Sequence, residues 1–358
     1  MRPVAIACLL LGASACLSEP VFLGAVDAAA IDATPDAPPG LVTRTLRFDS
    51  PGVVANAPIL VRLQAPCVDY AIANGGADIR FFSNTVQLAH EVELWNEEGV
   101  SLVWVKVPVT AEGEPTEIRF EHGSEVPMRT RQSTEVWSLY EAVWHLNGDA
   151  NEANSASAMF NGSPMGVDSV AGIAGLARQF EKGVGDRIMF SGTNQLVGGW
   201  ASLTLEVWVF PDDDDPLPDS VATGNTYLGK GDNQALVDFV FYNNAGALAA
   251  NKRLDTNAAR VLRSDADFTN QQWNYFAVTF NGDNNNDSAA QFFTNGARDN
   301  EDQFAADDTL EASDGDFFLG DNFVGLIDEV RIANARFSAG YIELQYAAIS
   351  NESFVSCE

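Results

Sequence analysis

Carboxylates and histidines can do acid–base or metal-binding chemistry, and their spacing in this sequence narrows what that chemistry can be. Near the C-terminus, Gly325-Leu-Ile-Asp-Glu-Val-Arg-Ile332 reads as one β-strand. Residues two apart share a strand face. Leu326, Asp328, Val330 and Ile332 are therefore expected on one side, and Ile327, Glu329 and Arg331 on the other. Asp328 then stands on an otherwise apolar face, where it must be hydrogen-bonded, paired or metal-bound, because burying a bare carboxylate is too costly. Glu91-Val-Glu93 sets two acids on one strand face, with a third at Glu97. Retaining glycosidases need two acids about 5 Å apart, and the run Glu-x-Asp-x-x-Glu that serves them on β-strands is absent from the C-terminal half. His90, His122 and His145 lack metal-ligand spacing. No G-x-S-x-G nucleophile motif occurs. The sequence is expected to bind and not to catalyse.

Three acidic stretches, Asp212–Asp215, Asn281–Asp287 and Arg298–Asp302, read as solvated loops. Asn281–Asp287 alternates oxygen ligands but lacks the glycine and the closing Glu of a helix–loop–helix calcium loop. The formal net charge of -30 argues against nucleic acid and anionic membrane surfaces as partners.

The N-terminus reads as a targeting segment. Arg2 is followed by an apolar run, Val4 to Leu11, too short to span a bilayer. The small residues of Gly12-Ala-Ser-Ala-Cys16 resemble the lipobox of bacterial lipoproteins, although Ala13 stands where Leu is usual. The resemblance implies a signal peptide over 1–16 and a lipid on Cys16; simple signal-peptidase cleavage near Ala15 is the alternative. Leu17, where inner-membrane retention uses Asp, implies the outer membrane. The chain is thus expected in the cell envelope, touching the membrane through its lipid alone. Residues 17–40 are rich in Ala, Asp and Pro and read as a disordered tether. Of the four cysteines, Cys8 leaves with the signal and Cys16 takes the lipid, so Cys67 and Cys357 remain as a candidate disulfide in an oxidising compartment.

Residues 41–126 alternate strongly: Ile59, Val61 and Leu63 oppose Leu60 and Arg62, and Val103, Val105 and Val107 oppose Leu102, Trp104 and Lys106. A small antiparallel β-sandwich is expected. Pro127–Val136 reads as a connector. Residues 137–358 hold many further strands and one helix, expected at Ser338–Ala348. Trp95, Trp104, Trp144, Trp208 and Trp273 are expected in the core, and Trp137 and Trp200 at exposed edges.

The pieces Gly76–Phe82, His90–Trp95 and Val103–Pro108 resemble a bacterial domain of unknown function that precedes laminin-G-like modules. In order, Val143-Trp-His-Leu146, Ala177-Arg-Gln-Phe180, Leu203–Val209, Leu228–Asp232, Trp273–Val278, Thr294-Asn-Gly296 and Gly325–Ile332 resemble a laminin-G-like, concanavalin A-like domain. The resemblance implies an all-β chain, a sandwich followed by a two-sheet jelly roll. It implies binding of a glycan, an envelope polymer or a surface protein, often beside calcium. Asp328 then becomes a candidate Ca2+ ligand, with Asp186 and Asn154. The family's Asp-Ser-x-x-Asn stretch is Asn154-Ser-Ala-Ser-Ala158 here, so one ligand charge is lost and any calcium site is weakened.

Overall fold

The first seven strands make a sandwich: β1 (Val42–Phe48), β2 (Ala55–Leu63), β3 (Arg80–Ser83), β4 (Val86–Leu88), β5 (His90–Leu94), β6 (Ser101–Val109) and β7 (Thr116–His122). A short helix, α1 (Ser133–Val136), leads to β8 (Ala142–Trp144), β9 (Gly162–Met165), β10 (Asp168–Ala171), β11 (Leu176–Phe180), β12 (Arg187–Phe190), β13 (Ser202–Pro211) and β14 (Thr226–Lys230). Then come β15 (Phe239–Asn244), β16 (Ala247–Arg253), β17 (Ala259–Asp267), β18 (Asn274–Asn281), β19 (Ala289–Thr294), β20 (Ala297–Gln303), β21 (Phe317–Asp321) and β22 (Gly325–Ala333). Helix α2 (Ala339–Ser350) and β23 (Ser356–Cys357) close the chain. This computed structural model describes residues 40–123, 132–148, 152–181, 185–193, 196–212, 226–230, 239–244, 247–253, 259–267, 269–281, 289–303, 315–321 and 323–358. Cys16, the leader, the tether through residue 39 and the acidic runs at 213–215 and 282–287 lie outside them.

In the N-terminal sandwich, a five-stranded sheet ordered β23-β1-β7-β3-β4 faces a three-stranded sheet ordered β2-β6-β5. Leu46, Phe81, Ile118 and Phe120 from one meet Ile59, Val61, Val103 and Val105 from the other, all buried. The C-terminal strand β23 belongs to this sandwich, because Cys357 pairs with Leu46 and is disulfide-bonded to Cys67.

The second pair of sheets is the jelly roll. One runs β10-β11-β22-β13-β18-β19-β20, with β8 also on β22; the other runs β17-β16-β15-β14-β21-β12-β9. Alternate residues Leu203, Leu205, Val207 and Val209 of β13 fill the core between them, with Phe276, Val278, Phe317 and Leu319. Asn295 and Gly296, both at positive φ, turn β19 into β20. Two central residues with φ > 0 are the requirement of a type I′ hairpin. The stretch Arg298–Asp302, expected as a loop, is therefore strand β20.

Strand β22 departs from simple alternation. Trp208 pairs with Asp328, but Glu206 pairs with Arg331, so Val207 faces two residues, Glu329 and Val330. Glu329 takes φ 49°. This β-bulge reverses the facing of everything after it. Ile327, Val330 and Ile332 share the jelly-roll core. Asp328 does not lie on that face with Val330 and Ile332, as strict alternation requires; it lies on the outer face, where Ile173 and Ala174 reach it.

That outer face is covered. Residues 39–358 form one compact unit, and the sheet of β2, β6 and β5 packs its own outer face against β22 and α2. Ser338 caps α2, its side chain accepting from Tyr341 N. Gln345 on α2 donates to Pro58 O of β2, and Arg62 of β2 donates to the carbonyls of Ala348 and Ile349 at the helix end.

Candidate functional site

Strand β5 sends Glu91 and Glu93 from one face into this junction, as the i, i+2 spacing dictates. Trp104 of β6 donates its indole N–H to Glu93 Oε2 at 2.5 Å. Trp137, one residue past α1, donates to Glu91 Oε2, and Ser155 Oγ donates to Glu91 Oε1 at 2.8 Å. From the jelly roll come His145, just past β8, and Glu329 and Arg331 on β22. His145 Nδ1 lies 2.6 Å from Glu329 Oε1 and 3.8 Å from Glu93 Oε2, and its Nε2 lies 3.5 Å from Glu91 Oε2. Arg331 donates to Glu329 Oε2 at 2.6 Å and to Gln345 Oε1 at 2.7 Å. Its guanidinium lies between two indoles, 4.6 Å from the Trp104 centroid and 4.9 Å from that of Trp137. Such cation–π contacts strengthen on desolvation. Glu206 of β13 accepts from the hydroxyls of Tyr140 and Tyr275.

Five carboxylates, Glu91, Glu93, Glu206, Asp328 and Glu329, thus meet two bases, His145 and Arg331. Burial and the Glu329 carboxylate push Glu93 up to about 8. Burial raises Glu206. Burial, with Glu329 and Glu93 beside it, also raises Asp328 against the pull of its N–H donors. Burial opposes ionisation of Glu91 as well, but His145, Trp137 and Ser155 outweigh it and hold that group low. Glu329 is held low by His145 and Arg331 against its own desolvation. His145 is raised well above its ordinary value: burial works against its charge, and Glu329 and Glu93 overcome it.

One ligand atom each of Glu93, His145 and Glu329 fall within 4.8 Å of one another. They do not fit a metal. Nδ1 and Oε1 at 2.6 Å are at hydrogen-bond length, and Trp104 and Arg331 already aim N–H groups at the two carboxylates.

The three residues named as calcium ligands are each held by different partners. Asp328 accepts from Ile173 N and Ala174 N on one oxygen and from Glu329 N on the other. Asp186 accepts from Glu181 N at 2.8 Å. Asn154 Oδ1 accepts from the N–H groups of Val143 and Ala156, and its Nδ2 donates to the carbonyls of Glu141 and Met159. That last pair needs an amide donor, which an Asp lacks. Cys67 and Cys357 are bonded, with Cα atoms 5.9 Å apart. Trp137, expected at an exposed edge, is fully buried, because it roofs Glu91 and stacks edge-on against Trp104. Trp200 is half-buried. Sequence reading missed His145 and Arg331 as site residues. The same-face pair Glu91 and Glu93 was the available signal, since two acids pointing inward demand bases opposite them.

Residues 182–343 match the family model Laminin_G_3, described as the concanavalin A-like lectin/glucanases superfamily. This segment is a concanavalin A-like domain. The sheets containing it begin earlier, since β8 to β11 pair within them. Among solved structures, the binding domain of Paraclostridial Mosquitocidal Protein 1 is similar with TM-score 0.47 at 12% identity, covering 60% of this chain and 52% of that one. Domain 4 of AbnA, a GH43 extracellular arabinanase from Geobacillus stearothermophilus in complex with arabinotriose, gives TM-score 0.43 at 18% identity, covering 57% of this chain and 96% of that one. The botulinum neurotoxin serotype G binding domain gives 0.45 at 10%, covering 58% and 50%. The match thus spans about half the length of the first and third of these proteins. No curated protein matches the chain.

Proposed function

We propose that this chain is a non-catalytic binding module that recognises a glycan or envelope polymer. In this reading it is displayed from the cell envelope, in the outer membrane, through a lipid on Cys16. The observation that carries the binding reading is the concanavalin A-like match over 182–343. The anchor rests on the leader and Cys16 alone. The geometry supports a location for the ligand. One jelly-roll sheet has its outer face occupied by the N-terminal sandwich and α2. On the other sheet Arg187 and Met189 are half-buried on the outer face, with the Arg187 guanidinium 5.6 Å from the centroid of the buried Phe318 ring and Met165 47% exposed beside them. The ligand is therefore assigned to that sheet and to the loops at the sheet ends. The pair Glu91 and Glu93, the best acid pair for glycoside cleavage, is closed in under Trp104 and Trp137. In this reading no calcium is assigned to Asp328 or Asn154, because their polar atoms bond backbone groups.

A glycan array probed with the full-length protein tests the binding, and a reducing-sugar assay on the bound polysaccharides tests the lack of turnover. Capture of a glycan without sugar release is expected. Steady sugar release would return the protein to the enzymes; a blank array beside a captured surface protein would make it an adhesive module. Mass spectrometry of the mature N-terminus should find a diacylglyceryl Cys16, and a soluble product starting beyond it overturns the anchor.

A further inference from the structure

The junction between the N-terminal sandwich and the jelly roll holds an acid that its surroundings do not neutralise. Glu93 has its side chain fully buried. Among the described residues, Oε2 takes one N–H, from Trp104, and Oε1 has no hydrogen-bond partner. Facing it are Glu91 on its own strand, His145 beyond β8, Glu329 and Asp328 on β22, and Arg62 on β2. The two strong local bases are already matched: Arg331 and His145 both bond Glu329, and His145 also faces Glu91. Arg62, the third cation near it, spends its N–H groups on the carbonyls of Ala348 and Ile349, and His145 Nδ1, 3.8 Å from Oε2, bonds Glu329 instead, so no cation among the described residues is left to bond a Glu93 carboxylate. Burying an uncompensated charge is far more costly than keeping a proton on it. The turn that covers Oε1 also lacks room for a compensating side chain. A Cβ on Gly175, which sits at φ 74°, would come within 2.8 Å of Glu93 Oε1.

We infer that Glu93 is buried as a neutral carboxylic acid, and that this proton latches the N-terminal sandwich onto the jelly roll. Loss of the proton leaves a bare carboxylate between Glu91 and Glu329, and the junction loosens. The inference stands independently of what the jelly roll binds. The direction follows from linkage. An acid at 4.5 when exposed and at about 8 when docked makes the docked state hold the extra proton between those values. Its stabilisation is complete below 4.5 and is lost as pH rises through about 8. His145, also raised, acts in the same direction.

The test compares the full-length protein with E93Q, whose amide imitates the neutral acid. Denaturant unfolding is followed from pH 5 to pH 9. Relative to E93Q, the wild-type unfolding constant should rise with pH, by up to about tenfold per pH unit where one proton is linked. Hydrogen exchange should show the amides of Ile173, Ala174 and β5 losing protection at pH 9 in wild type and keeping it in E93Q. Parallel pH curves for the two proteins overturn the inference. Should E93Q not fold, infrared difference spectra of wild type and E93M, which lacks this acid, decide it. A carboxylic-acid carbonyl band that vanishes with a midpoint near 8 in wild type and is missing from E93M supports the latch, and identical bands in the two, as Asp328 and Glu206 would give, remove it.

Discussion

On its inner face the sheet of β13 and β22 carries Leu203, Leu205, Val207, Val209, Ile327, Val330 and Ile332. On its outer face the same strands carry Thr204, Glu206, Trp208, Asp328, Glu329 and Arg331, and these too are buried. The inner face is held by shape. The outer face is held by a hydrogen-bonded cluster whose members depend on one another. A packed apolar face yields by degrees when a methyl is removed, whereas a buried ionic cluster fails when one partner leaves, because the rest are left unpaired.

The largest effect should come from breaking the outer face at its centre. Arg331→Ala strands Glu329 and Glu206 and should cost about 3–5 kcal/mol by denaturant unfolding. Arg331→Met, which keeps bulk between the indoles, sharpens the comparison. If both variants lose the same, the charge is not what matters. Asn154→Asp should cost about 1–3 kcal/mol, because it faces a carboxylate toward the carbonyls of Glu141 and Met159. Added calcium that restores this variant would mean that the amide stands where a cation can. On the inner face, Ile332→Val should cost only about 0.5–1.5 kcal/mol, and a loss as large as that of Arg331→Ala would erase the distinction drawn above.

The mildest test is acidification. Glu91 and Glu329 are held below their exposed value of 4.5. Their stabilisation is present above that value and is lost as pH falls through their folded values. With Glu93 acting in the opposite direction, thermal melts should give the highest midpoint in mild acid. A midpoint that climbs steadily toward pH 9 would contradict the part assigned to Glu93, and one that keeps rising as the pH falls below 4.5 would contradict the part assigned to Glu91 and Glu329.

The alternation of Val103, Val105 and Val107 with Leu102, Trp104 and Lys106 was legible as a strand, and so was the core face it builds. What alternation could not reveal is that the opposite face is also buried. Leu60 and Trp104 are as dry as Ile59 and Val105, because another part of the same chain covers them. The bulge at Glu329 was hidden for a local reason. A non-glycine residue at positive φ leaves no mark in composition, and one inserted residue exchanges the faces of all that follow. The type I′ turn was written in Asn295-Gly296, yet the acids after it read as a loop, because charge suggested solvent more strongly than the turn suggested a returning strand. Asp328 showed its need for partners, but not that three backbone N–H groups supply them.

The bond between Cys67 and Cys357 also shapes how the protein carries mechanical load. Strand β1 lies between β7 and β23, so a pull on the chain at Gly40 first meets β1 loaded in shear along both neighbours. Beyond β2, tension reaching Cys67 divides. One branch runs forward through the rest of the sandwich, and the other crosses the sulfur bridge and runs back through α2 into the jelly roll. The jelly roll is thus held by two lines of chain, and the junction at Glu93, Trp104 and Arg331 lies between them.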